Sequence, residues 1–471
     1  MNQAAELRGE RPGAARASAQ EADRARVLVP EPPHPGRAFP VDPSRWPDVA
    51  TVPSGRMRAG VARRLLIAGA ARLPVRVMPS GGRAFGADSP GTLVMRLHRP
   101  ADFYRRIGAG GLIGFGESYM AGDWDADDLV GLLTVLCAHI DRLVPRQLQW
   151  LRRLYVARIP ADWDADEAGA RRNAHQHYDL SNDMFALFLD DTMTYSAAMF
   201  EPGAATLDAG SQSAPCDEPD AAGWPAEGGR LAAAQRRKID RLLDHTGVGP
   251  GCRVLEIGTG WGELAIRAAA RGATVRSITL SGEQRDRAWQ RIRTAGLAGQ
   301  ATVEVLDYRQ VRGQYDVILS VEMIEAVAER YWPAFFRTLD RLLAPGGRVG
   351  LQAITMPHHR MLATRRTKTW ILKYIFPGGL IPSAQSIRDN VAAHTSLRIV
   401  SQYDFGPHYA RTLRIWRHRF GAAGGQLAEL GFDEVFRRMW EFYLSYSEAG
   451  FRSGYLQVSQ FLLARDQREA T

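Results

Sequence analysis

The stretch Val254-Leu255-Glu256-Ile257-Gly258-Thr259-Gly260-Trp261-Gly262 sets the strongest limit on the fold. An apolar run enters glycines at alternate positions, and a helix-like segment, Glu263 to Arg271, follows. Glycines there let the backbone turn sharply and approach a ligand with no Cβ in the way. The spacing is not the G-x-G-x-x-G of a dinucleotide site, because Gly262 is followed by Glu263 and Leu264. Glu256 argues the same way: a carboxylate repels two phosphates but suits an amine or a sulfonium. A glycine-rich turn without a ligand is the other reading of this string.

The segments around this turn alternate. Leu231–His245 reads as a helix, then strand Arg253–Ile257, helix to Arg271, strand Thr274–Thr279, helix from Glu283, and strands Thr302–Leu306 and Asp316–Val321. Helix Tyr331–Leu343 meets the stop signal Pro345-Gly346-Gly347 before strand Arg348–Ile354. Leu397–Tyr403 and Tyr455–Leu463 are further strand candidates, with helices near Tyr409–Phe420 and Phe432–Tyr446. Such alternation predicts an α/β fold: a doubly wound, mostly parallel sheet with helices on both faces.

With 471 residues the chain has room for two or three domains. Residues 1–44, rich in Ala, Arg, Pro and Glu without apolar periodicity, read as a disordered tail. Residues 45–150 read as a smaller mixed α/β domain: a short helix at Arg63–Ala68, strands Pro74–Met78 and Gly91–His98, a glycine-punctuated aromatic loop Gly114–Trp124, and helix Asp127–Leu143. A linker over 151–169 leads to the second domain, 170–465, interrupted by a Gly/Ala/Pro/Asp-rich insert at 201–229. The net charge of +9 favours an anionic partner, nucleic acid or acidic lipid. Cys137, Cys216 and Cys252 lack metal spacing and suit a reducing compartment, so no metal site is expected. No apolar run reaches the roughly 20 residues needed to span a bilayer, and no signal pattern opens the chain. The location expected is cytoplasmic, peripheral on the inner face of the plasma membrane.

Several ordered strings resemble the cyclopropane-fatty-acyl-phospholipid synthase family, which includes the mycolic acid cyclopropane synthases. They are His177-Tyr178-Asp179-Leu180-Ser181-Asn182-Asp183, Met193-Thr194-Tyr195-Ser196, Ala234-Gln235-Arg236-Arg237-Lys238, the glycine turn, Thr279-Leu280-Ser281 with Gln284, and Glu322-Met323-Ile324-Glu325. Lys373 to Gly379 and Phe451 to Tyr455 complete the set. Leu112–Met120 and Tyr446–Tyr455 carry a finer resemblance, to the actinobacterial branch that forms 10-methylene-stearoyl lipids, precursors of tuberculostearic acid. The resemblance implies the class I methyltransferase fold and S-adenosylmethionine as cofactor. It puts Gly258, Gly260, Gly262 and Glu256 at the methionine end, Tyr178 and Ser196 on the carboxylate side, Thr279, Leu280, Ser281 and Gln284 at the ribose, and Asp307 with Tyr308 at the adenine. A packed core tyrosine at Tyr178 and a helix cap at Ser196 stay open as structural readings.

For chemistry, the resemblance puts Glu325 and Tyr409 at a bicarbonate ion that takes a proton. The departures are then informative. Family histidines read Ala326 and Ala353, and family cysteines read Ala197 and Ser447, so the usual bicarbonate site is not reproduced. Glu322 and Glu448 are additional carboxylates that could serve as base or steer a cation; an ordinary solvated helix acid is the other reading of each, as a helix-start cap or salt bridge is of Glu325 and a core aromatic of Tyr409. Slower deprotonation favours a hydride shift and a methylene product over a cyclopropane ring. His358–Phe376, cationic and aromatic by turns, suits a membrane-facing lid on unsaturated phospholipid, or else a packed helix with a basic outer face. The resemblance also implies a lipid-gripping upstream domain and a homodimer, and a methylene product would need a separate reductase. A nucleic-acid methyltransferase and a non-catalytic lipid binder are the competing classes; the first lacks interleaved stacking aromatics.

Overall fold

The computed structural model describes residues 39–139, 181–201 and 225–465. Tyr178, the 151–169 linker, most of the 1–44 tail and most of the 201–229 insert lie outside the described residues.

The upstream part is a four-stranded sheet in the order β2-β1-β3-β4, built from β1 (Val75–Pro79), β2 (Phe85–Gly86), β3 (Leu93–Leu97) and β4 (Trp124–Ala126). Helices Arg56–Ala70, Pro100–Gly110 and Leu112–Met120 flank it. The region expected as an aromatic loop at Gly114–Trp124 is thus largely helical. Its glycines serve packing: a Cβ on Gly114 would strike the Arg106 carbonyl, and one on Gly116 would strike the Trp370 indole. The chain is also packed earlier than its composition suggests. Phe39, Val41 and Trp46 sit against the core, and the Trp46 indole donates to Asp433 at 2.7 Å.

Seven strands form the large sheet: β5 (Arg253–Ile257), β6 (Thr274–Thr279), β7 (Ala301–Val305), β8 (Tyr315–Val321), β9 (Leu343–Thr355), β10 (Leu397–Asp404) and β11 (Gln457–Arg465). Their spatial order is β10-β11-β9-β8-β5-β6-β7, with β9, β8, β5, β6 and β7 parallel and β11 antiparallel to both neighbours. This is the doubly wound architecture expected. Both faces are apolar, as a parallel sheet covered on two sides requires. Val254, Val317 and Leu319 face Leu243, Leu264 and Ile292, while Leu255, Ile318 and Leu351 face Phe335, Leu339 and Ile387. Each such buried side chain contributes about 1.5–3 kcal/mol.

β9 begins five residues ahead of its expected start, and Pro345-Gly346-Gly347 bends within it rather than preceding it. Pairing with β8 jumps from Tyr315↔Leu343 to Val317↔Arg348, so the Pro-Gly-Gly residues form an irregularity in a continuous strand. Helix Glu434–Arg452 likewise runs past its expected end and carries Ser447 and Glu448 inside its last turns.

The expected lid also folds differently. Residues 358–376 form two short helices, His358–Thr364 and Trp370–Tyr374, and the second packs inward on the upstream helices. Trp370 meets Phe442 edge-on at 4.8 Å, Lys373 pairs with Glu117 and Asp48, and the Tyr374 hydroxyl donates to Glu117 at 2.8 Å. One cation that read as outward-facing, Lys373, is thus turned inward onto acids, while Arg366 and His359 stay exposed.

The strand order reverses at β5, with β6 and β7 on one side and β8 and β9 on the other. Loops leaving the carboxyl ends of β5 and β8 therefore part company there and open a crevice, the place where doubly wound sheets bind ligands.

Candidate active site

At the end of β5 the chain turns through Gly258, Gly260 and Gly262 with φ of 98°, 52° and 89°. These values suit residues without a Cβ. Gly262 starts helix Glu263–Ala270, and a Cβ there would press on Ala288 at 3.0 Å. Gly260 is bare for another reason: a Cβ would meet no atom within 4 Å, so a cradle is left open over the turn. Glu256 does not reach into that cradle as a bare charge. Its carboxylate accepts from the Ser277 hydroxyl at 2.5 Å, and burial pushes its pKa up to about 8.

The end of β6 supplies a self-bonded cap. The Thr279 hydroxyl donates to Gln284 Oε1 at 2.9 Å, and Ser281 Oγ accepts from the Gln284 amide at 3.2 Å. With Oε1 engaged, Gln284 offers its NH2 as a donor. Leu280 between them is half-buried. After β7, Asp307 is buried and Arg309 holds both its oxygens, at 2.8 and 2.6 Å. Tyr308 turns its ring edge-on to Phe335 at 5.4 Å, and its buried hydroxyl has no protein partner.

Two non-glycine residues among those described have positive φ, Met193 at 53° and Glu322 at 47°. Such backbone costs about 1–3 kcal/mol and persists only where surroundings enforce it, commonly at functional sites. Both flank one spot. Met193 leads into Thr194-Tyr195-Ser196, and Glu322 leaves the end of β8.

Glu322 collects donors. Its Oε1 accepts from the Ala197 amide at 3.0 Å and Gln352 Nε2 at 2.7 Å; its Oε2 accepts from the Tyr409 hydroxyl at 2.7 Å. The hydrogen bonds run on from Gln352. Gln460 Nε2 donates to Gln352 Oε1 at 3.0 Å and to the Lys238 carbonyl at 3.1 Å, and Lys238 Nζ donates to Ser196 Oγ at 2.7 Å. Lys238 is 1% exposed. Burial lowers its pKa to about 8, against the pull of Glu322, Asp190 and Glu256. Burial in turn raises Glu322, opposed by Lys238 and by its three donors.

Glu325 lies one short turn on. Oε1 accepts from the Ile354 amide at 2.5 Å, while Oε2 is buried without a protein partner. Burial first, and the charge of Glu322 second, push it up to about 8. Tyr409 stacks at a tilt on Phe451 at 4.5 Å and meets Trp416 edge-on. Tyr195 and Tyr443 share a hydroxyl–hydroxyl bond of 2.7 Å beside them. The structure thus joins Ser196, Glu322 and Tyr409 in one network, with Glu325 beside it.

Glu448 stands apart from this network. It is buried in helix Glu434–Arg452 and answers Arg417 at 3.2 Å and Arg452 at 3.6 Å. Lys238, Gln352 and Gln460 escaped the sequence reading. A signal existed: Lys238 and Gln235 fall on the buried stripe Leu231–Ala234–Leu242 of their helix, and Gln352 interrupts the apolar run of β9.

Two groups can be tested against these residues. S-adenosylmethionine fits: the cradle over Gly260 is open, and among the described residues Glu325 Oε2, Asp190 Oδ1, Gln235 Oε1 and Ser320 Oγ are buried without a hydrogen-bond partner. Bicarbonate does not fit in the usual way. The Tyr409 hydroxyl, which the resemblance puts at the ion, already serves Glu322.

The fold and cradle define a class I S-adenosylmethionine-dependent methyltransferase. Residues 166–461 match the model of the mycolic acid cyclopropane synthetase family, and the chain belongs to that family. It is 56% identical over 429 residues to the tuberculostearic acid methyltransferase UfaA1 of Mycobacterium tuberculosis, covering 90% of this chain and 96% of that one. It is 30% identical to the cyclopropane-fatty-acyl-phospholipid synthase of Escherichia coli, covering 84% of this chain and 93% of that one. Among solved structures it is similar to mycolic acid cyclopropane synthase CmaA1 complexed with SAH and CTAB, at 30% identity and a TM-score of 0.53, covering 62% of this chain and 97% of that one.

Proposed function

We propose that this protein transfers a methyl group from S-adenosylmethionine to the double bond of an oleoyl-type chain in phospholipid and releases a 10-methylene branch. The observation that carries the product choice is Glu322: a carboxylate on left-handed backbone, gathering three donors where an external anion would otherwise sit.

When bound, S-adenosylmethionine supplies an electrophilic methyl group, so the site must tolerate a cation on the acyl chain and remove one proton. Gly258, Gly260 and Gly262 would leave room for the cofactor, Ser196 and Glu256 would face its methionine end, Thr279, Leu280, Ser281 and Gln284 its ribose, and Asp307 and Tyr308 its adenine. Glu322, held by Tyr409, provides negative potential for the cation, and the rings of Tyr409, Phe451 and Trp416 provide a water-poor wall. Glu325 Oε2 is the proton acceptor. Its raised pKa falls when positive charge enters the cavity, which makes the loaded site its ionised form.

A base fixed in the wall acts more slowly on the new methyl than an anion beside it. A hydride then shifts between the two former alkene carbons, and the cation becomes tertiary. Loss of a methyl proton to Glu325 gives the exocyclic methylene, with atoms balanced. Where the base acts first, a cyclopropane ring closes, and this is the second reading, in keeping with the names of the family's other members. A homodimer on the inner membrane surface and a separate reductase that consumes the methylene complete the proposal. The test is mass spectrometry of lipids from a host expressing the chain, with Glu325→Gln as control. An oleoyl chain heavier by one methylene and carrying an exocyclic double bond supports it; a cyclopropane as sole product refutes it.

A further inference from the structure

We propose that the outward face of helix Arg56–Ala70 is the surface by which this protein lies on an anionic phospholipid bilayer. The inference deepens the reading of a membrane-lipid substrate and moves its contact surface from 358–376, whose second helix packs inward, to the upstream part of the chain.

The helix is apolar on two sides. Ala62, Ala70 and the half-buried Leu66 turn to the core, where the helix is clamped so closely that a Cβ on Gly108 would press on the backbone of Arg58 and Ala59. The opposite side carries Met57, Val61 and Leu65, one turn apart, at 87%, 54% and 48% exposure. Leu112, four residues past Gly108, is 71% exposed. Among the described residues nothing buries Met57, Val61 or Leu65. Its borders are cationic: Arg56, Arg58, Arg63 and Arg64 lie in the helix, Arg72 follows it, and the helix holds no acid. An apolar stripe edged by arginines is the pattern of a helix lying in a membrane interface.

The charge order also departs from what the helix alone would choose. Arg56 and Arg58 stand in its first turn, where the helix dipole disfavours cations, and Gly55 gives no side-chain cap. An anionic surface reverses that penalty. A second copy of the chain is a poor occupant, because a two-fold pairing would set arginines against arginines. Nucleic acid would satisfy the arginines and leave Met57, Val61 and Leu65 without purpose.

The experiment is sedimentation of the full-length chain with vesicles of dioleoyl phosphatidylglycerol or dioleoyl phosphatidylcholine. The wild type should bind the anionic vesicles and release with added salt. Leu65→Glu should weaken binding by roughly tenfold or more, and Arg58→Glu with Arg64→Glu should abolish the preference for phosphatidylglycerol. Leu65→Trp should emit at shorter wavelength on vesicles. Every variant should keep its cofactor affinity and its turnover of oleoyl lipid dispersed in detergent, which marks the fold as intact. Unchanged vesicle binding by the charge and Leu65→Glu variants overturns the proposal, as does a shift in oligomeric state in place of vesicle loss. Vesicle binding lost as expected, with no methyl transfer by the wild type, would leave this surface standing and remove the proposed reaction instead.

Discussion

The Tyr409 hydroxyl donates to Glu322 Oε2 at 2.7 Å, and Glu322 accepts it from a backbone held at φ 47°. A position whose backbone suits glycine carries a half-buried acid, and that acid takes three donors for itself. Glu322→Gly should therefore relax about 1 kcal/mol of backbone strain and empty the site. Turnover should fall about 100-fold or more, recover in part with added bicarbonate, and shift toward cyclopropane. Gas chromatography of acyl esters with and without bicarbonate reads all of this; an unchanged product mixture at full rate would count against an internal anion.

The raised carboxyls predict how stability responds to pH. Burial holds Glu256 and Glu325 near 8, well above their unfolded values. The folded state then binds more protons than the unfolded one between about 4.5 and 8, so stability from these groups is present at acid pH and lost as pH rises through 8. The cofactor-free protein should melt at a lower temperature at pH 8 than at pH 6. Glu325→Gln should flatten that slope. A steeper slope in the variant would contradict the assignment.

Lys238 faces Glu322, Asp190 and Glu256 from within the protein and holds Ser196. Lys238→Met strands those acids and frees the Ser196 hydroxyl. Cofactor affinity should drop by at least about tenfold, with a stability loss of roughly 3–5 kcal/mol. Calorimetric titration and denaturant melts separate the two effects. Tight cofactor binding by a destabilised variant would confine Lys238 to a structural role.

Gly260→Ala isolates the cradle. Its φ of 52° is one that alanine adopts at a cost of about 1–2 kcal/mol, and nothing lies within 4 Å of the added carbon. The variant should fold with a modestly lower melting temperature and lose most of its cofactor affinity. Gly262→Ala, at 3.0 Å from Ala288, should lose more stability.

Glu448→Gln is the contrasting case. Its partners are Arg417 and Arg452, not the Glu322 network. Stability should fall by about 1–3 kcal/mol, while the methylene-to-cyclopropane ratio stays that of the wild type. An altered ratio would bring Glu448 back toward the reacting chain.

The parallel sheet was legible because its signals are local. Strand Thr274–Thr279 and the glycine turn follow from apolar runs ended by turn residues, and both match residue for residue. The helix Leu112–Met120 was not legible, because its glycines look like loop formers until Arg106 and Trp370 are seen pressing on them. The site was legible in part. Glu322 and Tyr409 stood out as residues, but their bond joins positions 87 apart, and no periodicity reports it. Lys238 stood in the string Ala234–Lys238 without a role of its own; the helix packing is what turns it inward.

A carboxylate built into the wall is present at a concentration set by folding alone. If Glu322 and Glu325 act as proposed, the enzyme is expected to work at the same pace whatever the supply of dissolved carbon dioxide around it. In the proposed reaction the left-handed backbone at residue 322 is thus the small mechanical concession that would free turnover from dissolved carbon dioxide.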